Sequence, residues 1–99
     1  MTHYILDGHE PKRADAAAWE RWMSSADRTV ARTAVDANII VSTVFVGIDL
    51  GCDPDKPILF ETEIMESGVA STEYRHVRYA TWDEAEHGHR LIVREYRAG

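Results

Sequence analysis

A single cysteine, Cys52, excludes an internal disulfide framework. Secreted domains of this size usually carry several disulfides, so a reducing, cytoplasmic setting is expected. With three prolines and six glycines, the chain shows no linker, low-complexity segment or internal repeat. Its longest mostly apolar stretch, residues 39–48, falls far short of the ~20 residues of a membrane helix. The opening Met1-Thr2-His3-Tyr4-Ile5-Leu6-Asp7 has neither the basic nor the apolar segment of a secretory leader, so none is expected. Basic charge is also scarce, with 11 Lys and Arg against 17 Asp and Glu. From Asp36 to Glu73, eight acids face one base, Lys56, a local charge of −7. Such a field opposes nonspecific binding to nucleic acid or anionic membrane and can steer a basic partner.

What remains reads as one α+β domain spanning 1–99. Hydrophobic residues make up 44% of the chain and aromatics 9%, enough for one core without staples. Tyr4-Ile5-Leu6 followed by Asp7-Gly8 reads as a strand and a turn. His9-Glu10-Pro11-Lys12-Arg13 reads as a polar connector. Asp15 caps a helix to about residue 26, with Ala18, Trp19, Trp22, Met23 and Ala26 on one face. Strands follow at 29–35 and 39–48 around an Asp36-Ala37-Asn38 turn, then at 58–66 and 73–80, with a loop at 49–57. Thr81-Trp82-Asp83-Glu84 is a capping box that opens a last helix, with Ala85, His89, Ile92, Val93 and Tyr96 inward. Gly88 interrupts that helix, which predicts a close approach there. The order is β-α-β-β-β-β-α: an antiparallel sheet with both amphipathic helices on one face. The other face is then open to a second copy, and a homodimer is expected.

Chemistry-bearing residues are present without a catalytic constellation. His87 and His89 stand at i and i+2, which a helix turns apart, so they do not make the i, i+4 pair of a zinc helix. Ser42 lacks a nucleophile elbow, and Cys52 lies beside Asp53 and Asp55, which disfavour its thiolate. Asp49, Asp53 and Asp55 lack the EF-hand register. No metal or cofactor is implied. Glu61, Glu63, Asp49, Asp53 and Asp55 are the candidate partner-binding residues, as the acidic surface that a basic protein would meet. His89, Trp82 and Tyr79 are the candidate lining of a pocket between sheet and helices, where His89 beside a carboxylate would serve as a general base. That second arrangement is the small-molecule-binding or hydrolytic alternative.

Several stretches together resemble a group of small uncharacterised bacteriophage and prophage proteins. They are Tyr4-Ile5-Leu6-Asp7-Gly8-His9, Val41-Ser42-Thr43-Val44-Phe45-Val46-Gly47, Leu59-Phe60-Glu61-Thr62, and Tyr79-Ala80-Thr81-Trp82-Asp83-Glu84-Ala85-Glu86 with Gly88-His89. The resemblance implies a phage accessory protein in the cytoplasm of an infected cell. Such proteins commonly bind a host or phage protein, blocking a host process or a defence system. It implies no enzymatic role, cofactor, membrane contact or direct nucleic-acid contact.

Overall fold

A computed structural model describes residues 2–67 and 72–98. The elements are β1 (His3–Asp7), β2 (Glu10–Ala14), α1 (Ala16–Met23), β3 (Thr29–Asp36), β4 (Ile39–Phe45), β5 (Phe60–Ser67), β6 (Thr72–Tyr79) and α2 (Trp82–Ala98). The α+β class and antiparallel pairing are as expected. The strands divide into a four-stranded sheet of order β3-β4-β5-β6 and a separate β1-β2 hairpin. Of the turn expected over 67–71, residues 68–71 lie outside the described residues.

The hairpin contains a strand where a connector was expected. Gly8 has φ 62° and no non-glycine residue among the described residues has positive φ, so Gly8-His9 has the left-handed first position of a type II′ turn. That turn folds Glu10–Ala14 back on β1, with Leu6 opposite Pro11. Charged side chains and a proline hide β2 from any alternation test, yet both suit an exposed edge.

In α1, the Asp15 carboxylate accepts from the Ala18 N–H at 2.8 Å, as the sequence predicts. The helix stops at Met23, three residues before its expected end, with Ser24 as C-cap. It packs on β1 and reaches the main sheet through Trp22, whose ring meets Phe45 edge-on at 5.6 Å. Helix α2 covers the same sheet face, burying Ala85, His89, Ile92 and Val93. Gly88 lets it approach β6, because a Cβ there would overlap the Tyr79 ring.

Two apolar clusters result. One gathers Tyr4, Phe45, Leu59, Phe60 and Ala85; the other gathers Val41, Ile64, Ile92 and Val93. A polar belt is also buried in this interior. Thr43 and Thr62 are fully buried and His89 is 3% exposed. His89 Nε2 lies 2.9 Å from Thr33 Oγ1 and Nδ1 lies 2.7 Å from Thr43 Oγ1. Thr43 bonds Thr62, which donates to the Tyr79 hydroxyl at 3.1 Å. Each hydroxyl has one proton, so this order assigns the tautomer. Thr62 donates to Tyr79, hence Thr43 donates to Thr62, Nδ1–H donates to Thr43, and Nε2 accepts from Thr33.

Candidate functional site

A hollow of about 710 Å3 opens where the β1-β2 hairpin, the 49–57 loop and the start of α2 converge. Each wall is held by local chemistry. Thr81 Oγ1 accepts from the Glu84 N–H at 3.1 Å, the N-cap bond of the expected capping box, while the Glu84 carboxylate accepts from the Thr81 hydroxyl at 3.3 Å instead of from the Thr81 backbone N–H. Asp49 Oδ1 accepts from the N–H groups of Gly51 and Ile58 at 2.8 and 2.9 Å, tying the loop to its own base. Asp53 Oδ1 accepts from the Asp55 N–H at 3.0 Å. On the hairpin side, His9 stacks on Trp82 with ring centroids 3.7 Å apart and planes 5° from parallel.

The lining is strongly acidic. Asp7, Glu10, Asp55, Asp83 and Glu84 contribute five carboxylates against one ammonium, Lys56. All five acids are exposed, and aromatic surface from Tyr4, His9 and Trp82 lies among them. The positive end of α2 offsets only about half a charge. Trp82 Nε1 is buried with no hydrogen-bond partner among the described residues, an uncommon state for an indole N–H. Acidic groups around π faces suit a guanidinium or ammonium group.

No family model, curated protein or solved structure matches this chain. Its own geometry therefore carries the reading.

The five acids expected to bind a partner separate in space. Asp55 lines the cleft, while Asp49 and Asp53 spend their carboxylates on loop N–H groups. Glu61 lies on the sheet face away from α2, 2.8 Å from His76 Nδ1 and 3.6 Å from Arg78 Nε. Glu63 is exposed on the same face, opposite Ser42 and His76. The three expected pocket residues do not line one hollow, although the Thr43–Thr62 bonds connect His89 to Tyr79. Trp82 walls the acidic cleft, Tyr79 ends the buried polar belt, and His89 lines a second groove. Burial holds the His89 imidazole below its ordinary pKa. Both its nitrogens bond threonine hydroxyls, and no carboxylate among the described residues bonds it.

Sequence reading missed Asp7, His9 and Glu10 as site residues because they fell in a turn and connector. Asp83 and Glu84 stand in the sequence only as part of the capping box that opens the last helix. The usable signal was a turn glycine flanked by acids, but nothing in the sequence brings it beside the start of α2. Among the described residues no group of three or more His, Cys, Asp or Glu is placed to hold a metal ion. No described helix is long and apolar enough to cross a membrane.

Proposed function

We propose that this chain is a non-enzymatic binding module whose acidic, aromatic-walled cleft takes a basic segment of a host or phage protein. The observation that carries this reading is the cleft itself: five carboxylates, one lysine and the stacked His9–Trp82 pair around about 710 Å3. An arginine or lysine side chain can lay its apolar stem on the rings and place its charge among the acids. The phage setting, the infected-cell cytoplasm and inhibition of a host process or defence system rest on the resemblance. The hydrolytic alternative lacks support, because His89 meets threonines instead of a carboxylate. Association of two copies belongs to the same proposal.

The test is capture from host and infected lysates at low and moderate salt, with the wild-type chain beside Glu10→Lys/Asp55→Lys. Both residues are exposed, and neither side chain takes part in a recorded bond among the described residues. A stoichiometric partner should bind about tenfold or more weakly to the double variant, and more weakly at higher salt. Equal capture by both proteins would remove the cleft from the proposal. Light scattering on the same preparation reads whether the chain is a dimer; a monomer mass removes that part.

A further inference from the structure

Along its C-terminal half, α2 forms a groove with the edge strand β3. Its volume is about 420 Å3, and its lining is Thr33, His89, Arg90, Val93, Arg94 and Arg97. The lining holds three guanidinium groups and no carboxylate, in a chain whose net charge is −6. Positions 90, 94 and 97 stand at i, i+4 and i+7, so the helix itself aligns them on one side.

Helix stability does not call for this stripe. Attraction between a cation and the negative end of a helix fades within the last turn. Helix α2 ends at Ala98, and only Arg97 lies in that turn. Arg94 repels both Arg90 and Arg97, since like charges at those spacings are unfavourable. Arg90 has a partner in Glu86 at 3.3 Å. Among the described residues no carboxylate lies within ion-pair distance of Arg94 or Arg97.

We propose that this groove binds a small molecule bearing a phosphate group. A guanidinium presents a planar fork that matches two phosphate oxygens, and it stays charged at every physiological pH. Arg94 and Arg97 together carry the two charges that balance a phosphate monoester dianion. Val93, 7% exposed, provides apolar floor for the organic part. The His89 ring beneath is held at both nitrogens by Thr33 and Thr43, which gives the groove a fixed base. The volume lies within the range of about 300–1,000 Å3 usual for small-molecule sites. None of these residues lines the acidic cleft, so this proposal stands or falls independently of that one.

The experiment is an NMR titration of the 15N-labelled chain with adenosine monophosphate, and separately with inorganic phosphate, at low salt. Saturable shifts are expected at Thr33 and along residues 89–97, with a dissociation constant of about 1 mM or tighter for the nucleotide. Competition by inorganic phosphate for the same shifts supports recognition of the phosphate group. Arg94→Gln/Arg97→Gln should weaken nucleotide binding about tenfold or more. Arg75→Gln, whose arginine pairs with Glu95 at 3.6 Å outside the groove, should leave it unchanged. The paired substitutions lie on exposed positions, and circular dichroism checks that the fold is kept. No saturable shift by about 10 mM nucleotide, or equal affinity in the double variant, overturns the proposal. Tighter binding of a single-stranded oligonucleotide than of the mononucleotide, through the same arginines, overturns it in favour of a nucleic-acid surface.

Discussion

Replacing Thr43 with valine should destabilise the protein by removing one oxygen while keeping the side chain's shape. Thr43 is fully buried on β4, and its hydroxyl joins His89 to Thr62. In the deduced proton order, valine leaves the His89 Nδ1–H without an acceptor in a place water does not reach. An orphaned buried donor costs about 1–3 kcal/mol, whereas Thr62 merely loses a donor to an oxygen that still donates to Tyr79. A net loss of about 2 kcal/mol would lower the melting temperature by roughly 8–16 °C in a domain of this size. Thr43→Ser provides the opposite control. It keeps the hydroxyl and removes one methyl group, which costs about 1 kcal/mol through lost burial and a small cavity. Urea unfolding of both variants gives the comparison, with valine expected to be the less stable. Serine as the worse of the two, or valine at wild-type stability, would show that packing governs the site and refute the hydrogen-bond argument.

The same histidine predicts a pH dependence. Burial holds the folded-state pKa of His89 below its unfolded value of about 6.5, so the unfolded chain binds more protons between those two values. Stability from this group is complete above about pH 6.5 and is lost as pH falls toward the folded value, by at most about 1.4 kcal/mol per unit. Urea midpoints across that range, read beside the His89 ring resonances, check it; a ring that titrates at the ordinary histidine pKa contradicts it. At Gly88, alanine would normally favour a helix by about 1 kcal/mol. Here its Cβ would overlap the Tyr79 ring, so Gly88→Ala should instead destabilise by about 1–3 kcal/mol, and a stabilised variant would contradict the close approach.

The elements whose signals are local were legible in the sequence. Asp15 and Thr81 cap the two helices as read, because a cap needs only a side chain and a backbone N–H three residues away. The inward stripe of Ala85, His89, Ile92 and Val93 followed from helical spacing, and Gly88 announced a close neighbour without naming Tyr79. β2 was not legible, because an exposed edge strand needs no apolar alternation, only a partner that the Gly8 turn brings back. The charged residues divide in the same way. Net acidity belongs to the composition, but tertiary placement decides the role of each acid. Asp49 is spent on the Ile58 N–H nine residues away, and Glu61 on His76 of the neighbouring strand. Asp7, Glu10, Asp55, Asp83 and Glu84 come from three separate segments and form one cleft only when hairpin, loop and helix meet. Even the arginines, set four and three residues apart in the sequence, become a groove only because β3 lies along that side of α2. Local hydrogen bonds and periodic burial act over a few residues and can be read from them. A site made by long-range contacts is decided only when the chain closes on itself.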